Sequence, residues 1–143
     1  MSTSSRFAVA VHILSGLTMH EGEPLASDVV AKSASTNPAV IRRLVSMLNE
    51  AGFSRSVLGQ GGGAVLAKPA KEITLLDVFR AVETEDLFAL HRETPDQECV
   101  VGRYIQPTLQ RTLDKALSAM AAELNKVTIA DVVRDIKKMD KLA

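Results

Sequence analysis

The chain is poor in residues that crosslink proteins and in the long apolar runs that cross membranes. Its single cysteine, Cys99, cannot form a disulfide within the chain, which fits a reducing compartment. No apolar run approaches the roughly 18 residues of a membrane span, and the N-terminus lacks the charged start and apolar core of a secretion signal. The sequence therefore predicts a cytoplasmic protein that is not inserted in a membrane.

Sequence signatures of catalysis are also missing. There is no Ser-His-Asp or Cys-His spacing, and there are no paired histidine or cysteine ligands for a metal ion. The run Gly59-Gln60-Gly61-Gly62-Gly63 is superficially similar to a phosphate-binding loop, but the Lys-Ser/Thr pair that should follow is absent and the run lies in a predicted hairpin. We therefore expect neither an enzyme nor a metal site.

The chain has no net charge, so the distribution of charge along it is more informative than the sum. Between Lys32 and Lys71 there are six basic residues and a single acid, Glu50. Phosphate contacts supply most of the non-specific affinity for nucleic acid, so a weak net field predicts weak non-specific binding and a reliance on the avidity of a dimer. With 143 residues, 46% of them hydrophobic, the chain is long enough for one domain with a substantial core.

One short predicted helix, residues 37–51, lies inside this basic segment. Asn37 is a suitable N-cap, Pro38 suits the first helical position because its missing N–H needs no partner there, and Gly52 can end the helix in a left-handed conformation. Its inward apolar stripe consists of Ile41, Leu44, Leu48 and Ala51. Arg42 and Arg43 fall outside the stripe, near the exposed N-terminal end. A helix meets the edge of a DNA major groove in this way, with its N-terminal residues first and phosphate contacts around them.

The segments on either side of this helix complete a known supersecondary order. Residues 25–33 can form a shorter amphipathic helix, and residues 34–36 can make a tight turn into the next one. Residues 53–57 and 64–66 are short extended runs, joined by a flexible tip at 58–63. Helix, turn, helix and two-stranded wing is the order of a winged helix-turn-helix, so we predict a mainly α-helical fold with a small β wing.

The remaining segments are predicted to be mostly helical. Residues 2–17 are apolar nearly all round, so we expect this helix to be buried between the DNA-reading part and the C-terminal part. Residues 74–77 and 128–131 have the spacing of a capping box, and each opens a short helix. Residues 83–98 are acidic and irregular, and a long helix follows from about 101 to 125.

The long helix carries an apolar stripe that a compact winged unit is too small to cover. The stripe consists of Leu109, Leu113, Leu117, Met120 and Leu124. We therefore predict a homodimer in which this helix packs against its symmetry mate and holds the two DNA-reading helices about 34 Å apart, one helical turn of DNA. Alternatively, the helix folds back on its own domain. The predicted organisation is a winged DNA-binding domain at 1–82, an acidic connecting or sensory segment at 83–100, and a dimerisation helix with a C-terminal helix at 101–143.

Taken in order, several of these segments resemble the Rrf-two family of bacterial transcriptional regulators. The matching pieces are Arg6-Phe7-Ala8-Val9 with Val11-His12-Ile13-Leu14, Thr36-Asn37-Pro38 with Ile41-Arg42-Arg43-Leu44, Leu48 to Gly52, Gly59-Gln60-Gly61-Gly62-Gly63, Ile73-Thr74-Leu75-Leu76-Asp77 with Arg80-Ala81-Val82-Glu83, and Val127-Thr128-Ile129-Ala130-Asp131. They span nearly the whole chain. Each piece alone is a weak signal, whereas the ordered set is specific.

The resemblance implies a dimeric winged-helix repressor or activator that binds double-stranded DNA at a near-palindromic operator. In the family, the start of the second helix and the wing carry the DNA contacts. The matching positions here are Thr36, Asn37, Ala39, Arg42, Arg43, Gln60 and Gly61. An arginine that reads a guanine edge is the commonest specific contact, worth ~1–3 kcal/mol of discrimination. The wing glycines allow a close backbone approach to the sugar-phosphate surface or the minor groove.

Two positions depart from the family pattern. Many relatives have lysine or arginine where this chain has Leu58, so the wing lacks its usual cationic contact. Cluster-binding relatives carry three closely spaced cysteines before the long helix, whereas this chain has only Cys99, and an iron–sulfur cluster needs several thiolates. The chain therefore resembles the cluster-free branch of the family, and we expect no cofactor.

The single cysteine allows two interpretations. Arg103, at the start of the long helix, would stabilise a thiolate, so Cys99 is a candidate redox sensor that could be oxidised or paired across the dimer. In the other interpretation, Cys99 is an ordinary small buried side chain.

A second function remains open for the chain as a whole. Some winged-helix modules bind protein instead of DNA, and the pattern of elements is the same. A DNA reader loses affinity steeply as the salt concentration rises, so the salt dependence of binding would separate the two functions. The sequence identifies no effector.

Overall fold

The computed structural model describes residues 3–143, so Ser2, with which the first predicted helix began, lies outside the described residues. The elements are α1 (Thr3–Met19), α2 (Ser27–Ala34), α3 (Pro38–Glu50), β1 (Ser54–Val57), β2 (Gly63–Leu66), a 3₁₀ turn (Ala70–Glu72), α4 (Leu75–Val82), α5 (Val100–Leu124) and α6 (Ile129–Leu142). The order confirms the predicted class, a mainly helical winged helix-turn-helix with a long C-terminal helix.

Helix α1 is the centre of the core. It packs against α3 and α4 of the winged unit and against the C-terminal α6, as its apolar composition predicted. The fully buried residues of α1 are Ala10, Ile13, Leu14 and Leu17. The rest of the core, from other elements, includes Ile41, Leu44, Leu48, Ile73, Val78, Val82 and Ile129. The predicted stripe of α3 is wrong at Ala51, which is exposed because the helix ends at Glu50 and Gly52 turns the chain away with φ 82°.

Two capping boxes fix the starts of α4 and α6, as the spacing predicted. Thr74 and Asp77 exchange hydrogen bonds of 3.0 Å between side chain and backbone N–H in both directions. Thr128 and Asp131 do the same at 2.9 and 3.1 Å, and the Thr128 backbone N–H is the main reason that the pKa of Asp131 is lowered. The Leu75 N–H also donates to the carbonyl of residue 127 at 2.8 Å, so the two helix starts are joined.

The wing is a two-stranded antiparallel sheet that is anchored to the rest of the domain. Ser54 pairs with Leu66 at one end, and β1 and β2 diverge into the tip after residue 57. Leu25 extends the sheet by one bridge, since its N–H and carbonyl bond with Ala64 at 3.0 and 2.9 Å. The prediction that a helix starts at Leu25 is therefore wrong: these backbone groups belong to the wing, and α2 starts at Ser27.

The segment after α4 forms no helix or strand between residues 84 and 99. Its apolar residues Leu87 and Phe88 are about half exposed and line a cavity of about 400 Å³ together with Leu113 and Leu117 of α5. Helix α5 contains no buried residue, although it is 25 residues long. It therefore presents most of its surface to the outside of the chain.

Candidate nucleic-acid interface

The N-terminal end of α3 is open and positively polarised. The Asn37 Oδ1 accepts a hydrogen bond from the Ala39 N–H at 2.7 Å, and both residues are exposed. Thr36 is half-buried in the preceding turn, where Ser35 adopts a left-handed conformation with φ 52°. No acidic residue lies in the first turn of α3, so the partial positive charge of its N-terminus is not neutralised there. A helix end of this kind attracts phosphate groups.

The two arginines of α3 are exposed but lie on different sides of the helix, because successive residues of an α-helix are rotated by about 100°. Arg42 lines a cleft of about 390 Å³ between α3 and the wing, together with Asn49 and Ser56. Arg43 lines a cavity of about 220 Å³ on another side of α3, together with Arg6 of α1. Within the described part of the chain, neither α3 arginine forms an ion pair or side-chain hydrogen bond.

The tip of the wing is built from glycines and one polar side chain. Gln60 and Gly61 are exposed there, and the Gly62 N–H donates to the Gly59 carbonyl at 3.1 Å to close the tip. A Cβ on Gly62 would overlap the backbone carbonyl of residue 57, so this position requires glycine. Leu58 is 92% exposed, so the wing presents an apolar side chain and no cation at this position.

A hydrogen-bond network that sequence reasoning missed holds the wing to α3. The Asn49 Oδ1 accepts a hydrogen bond from the Ser54 hydroxyl at 2.5 Å, and the Asn49 amide donates to the Ser56 hydroxyl at 3.0 Å. Ser54 is only 3% exposed, whereas Ser56 is exposed. The two serines are on the same face of β1, because side chains alternate along a strand. One side chain of α3 thus ties two residues of β1 to the helix.

Arg55 is a second residue that was not predicted as part of the site. It lies between the two serines of β1, is exposed, and belongs to the opposite face of the strand. It supplies a positive charge to β1, the strand that precedes the uncharged Leu58. The alternation Ser-Arg-Ser after the end of α3 was the sequence signal that could have identified it.

Cys99 lies directly before α5 and is exposed, so the interpretation as a buried side chain is wrong. The guanidinium of Arg103 is directed to other groups: its Nε donates to the Gln97 carbonyl at 2.9 Å, and its Cζ lies 5.6 Å from the Tyr104 ring centre. In residues 3–143, no three His, Cys, Asp or Glu side chains come together as metal ligands. A cluster held by the thiolates of one subunit does not fit this donor set, because the chain has one cysteine.

The apolar stripe predicted for dimerisation lies along α5. Leu109 is 41% exposed, and the other predicted residues of the stripe are half-buried: Leu113, Leu117, Met120 and Leu124. The first turns of the helix add three more exposed apolar side chains, Val100, Val101 and Tyr104, at 55–67% exposure. Sequence reasoning missed these three because it placed the strong part of the stripe after Pro107.

Comparison with known proteins places this architecture in one family. A family model described as "Rrf2: Iron-dependent Transcriptional regulator" matches residues 3–135. YwnA of Bacillus subtilis, a protein assigned to the HTH-type transcriptional regulators, is 41% identical over 134 residues, which cover 93% of this chain and 98% of YwnA. The rrf2 protein of Nitratidesulfovibrio vulgaris is 30% identical over 148 residues, which cover 100% of this chain and 94% of that protein.

A solved structure from Lactobacillus plantarum has the same fold, with a TM-score of 0.80 at 24% identity over 92% of this chain and 89% of that one. No helix in the described part of the chain combines the length and apolar character that a membrane crossing requires. The matching family consists of regulators and not of enzymes, which confirms the expectation drawn from the missing catalytic motifs. The chain belongs to the Rrf2 family of transcriptional regulators.

Proposed function

We propose that this protein is a homodimeric DNA-binding regulator that recognises a near-palindromic operator through α3 and the wing. The residues proposed to contact DNA are Thr36, Asn37, Ala39, Arg42, Arg43, Gln60 and Gly61, and Arg55 joins them from the exposed face of β1. Family membership supports a role in transcription, and the geometry supports the choice of surface.

The observation that carries this proposal is the pair of unpaired arginines beside an unneutralised helix N-terminus. Arg42 and Arg43 have no anionic partner within the described residues, and the first turn of α3 has no acid. Holding an arginine side chain in place costs conformational entropy, and no partner within the described residues holds these two. An exposed and unpaired pair of arginines at a helix end is therefore suited to an external anion. In the proposed complex, Arg42 faces the groove that the wing borders and reads a base edge, worth ~1–3 kcal/mol.

The dimer is proposed from the surface of α5. This helix is about 37 Å long and contributes no buried residue to the single chain. Its exposed apolar residues lie in the N-terminal half of the helix, Tyr104 and Leu109 among them, and would stay in water without a partner. A second copy of α5 offers the same face, so a twofold axis can bury both faces at once.

We further propose that regulation uses no iron–sulfur cluster, although the family description mentions iron dependence. Three thiolates cannot come from a chain with one cysteine. Cys99 is exposed and forms no disulfide within the described part of the chain. The thiol is accessible to oxidants, which supports the redox-sensor hypothesis for this position.

Selection of bound sequences from random DNA is the direct test. We expect a two-fold symmetric consensus with half-sites about 10 base pairs apart, and log K for the selected operator should fall linearly with log salt concentration. Arg42→Ala should weaken binding and relax specificity at one position of each half-site, while sedimentation still shows a dimer. Arg111→Ala, an exposed charge on α5, is the matched control and should bind like the parent.

Two results would contradict the proposal. A protein that selects no consensus and binds no duplex at low salt would support a winged-helix module for protein partners. A stable monomer at micromolar concentration would remove the symmetric operator, because one α3 helix reads only one half-site.

A further inference from the structure

The cavity on the Arg43 side of α3 is lined by four residues: Arg6, Val40, Arg43 and Leu44. Two of them carry a guanidinium group and two are apolar, and no acid lines the cavity. Its volume, about 220 Å³, is below the roughly 300–1,000 Å³ of sites for drug-sized ligands. Guanidinium groups bind phosphate oxygens through charge-assisted hydrogen bonds, so a small cavity lined by two arginines and no acid suits an anion.

Arg6 forms an ion pair with the buried carboxylate of Glu83. Its Nη2 lies 3.5 Å from the Glu83 Oε2, and the two side chains are 14% and 2% exposed. Both Glu83 oxygens and the Arg6 Nε are buried without a hydrogen-bond partner in the described residues, so the pair is an ion contact and not a bidentate bridge. Glu83 therefore restrains Arg6 without using the full donor capacity of its guanidinium.

We propose that Arg6 and Arg43 form a clamp for one backbone phosphate of the operator, on a different side of α3 from the wing, and that Glu83 is the positioning residue for Arg6. This inference rests on the proposed function and extends it to α1. Phosphate contacts on both sides of a reading helix fix its register in the groove, so the clamp and the wing would hold α3 from two sides.

The salt dependence of operator binding tests the clamp. Loss of one phosphate contact lowers the slope of log K against log salt by about 0.9. We expect this reduction for Arg43→Gln and for Arg6→Gln, with an affinity about tenfold lower at low salt. Arg80→Gln is the matched control, because Arg80 is exposed on the neighbouring α4 and does not line the cavity.

Arg6→Gln leaves Glu83 buried without its partner and can reduce stability. The paired variant Arg6→Gln/Glu83→Gln removes both charges together, so it should fold like the parent and keep the reduced slope. A scan of operators with a single methylphosphonate identifies the phosphate: one position should weaken the parent but have no effect on Arg6→Gln or Arg43→Gln. Inorganic phosphate at millimolar concentration should not compete, because the clamp takes a phosphate that the rest of the operator positions.

The outcomes separate the clamp from the proposed function. If the parent binds a symmetric operator but Arg6→Gln and Arg43→Gln keep its slope, the clamp is overturned and the function stands. If Arg80→Gln lowers the slope equally, the effect is a general field and the clamp is again overturned. If the parent binds no DNA, both fall together.

Discussion

The hydrogen bonds between α3 and the wing predict a measurable loss of stability in Asn49→Ala. The Asn49 side chain holds Ser54 and Ser56, and truncation removes both bonds. The Ser54 hydroxyl is then buried without a partner, which costs about 1–3 kcal/mol, whereas water replaces the bond to the exposed Ser56 at little cost. Alanine is a better helix former than asparagine by about 0.5 kcal/mol. The expected net loss in the free energy of unfolding is about 1.5 kcal/mol.

Urea denaturation at a fixed protomer concentration measures this loss, because dimerisation would otherwise shift the apparent stability. Glu50→Ala is the control: the residue is adjacent, exposed and outside the network, so it should stay within about 0.5 kcal/mol of the parent. Asn49→Ala/Ser54→Ala leaves no orphaned hydroxyl, so its loss should be smaller than the sum of the two single losses by about 1 kcal/mol. If Asn49→Ala unfolds like Glu50→Ala, the network does not set the wing and the reasoning is refuted.

Four further variants test other parts of the structure. Thr74→Ala removes one side of a capping box and should cost about 1 kcal/mol in urea denaturation; an unchanged midpoint would contradict the box. Gly62→Ala should displace the wing tip and lower operator affinity while the helical circular dichroism is retained, and normal affinity would show that the tip has room for a Cβ. The Thr128 N–H lowers the pKa of Asp131 in the folded protein below 3.8, its ordinary value in the unfolded chain. The parent should therefore be more stable than Asp131→Asn above pH 3.8, and this advantage should disappear as the pH falls through the lower pKa of the folded state. An advantage that does not change between about pH 6 and pH 2.5 refutes the role of the Thr128 hydrogen bond. Peroxide should weaken operator binding of the parent but not of Cys99→Ser, and identical curves reject the redox sensor.

The parts of the fold that depend on neighbours in the chain could be predicted with accuracy. Asn37, Pro38 and Gly52 bound α3 as expected, because caps act within one turn of the helix end. The capping boxes at Thr74 and Thr128 were found from a spacing of three residues, since both of their hydrogen bonds are local. The order of these local signals was sufficient to predict the winged class.

The predictions that were wrong share a different cause. Leu25 was placed in a helix because its neighbours favour one, but Ala64, far along the chain, takes its backbone hydrogen bonds. Cys99 is exposed because it lies where the irregular segment meets α5, a position that its own sequence neighbourhood does not specify. A candidate site on α3 and the wing tip could be proposed from the sequence, but Asn49 could not be connected to the wing without the fold that brings β1 beside α3.

The amino-acid sequence by itself determined where α3, α4 and α6 begin, what family the chain belongs to, and which end of α3 is positive, because caps, turns and patterns are properties of short segments. Only the tertiary structure decided that Arg42 and Arg43 face different cavities and that Arg6 meets Glu83 across 77 positions. It also decided that α5 contributes no buried residue to the single chain. These features depend on how distant segments pack, and a packing geometry is set by the whole core and not by any segment of it.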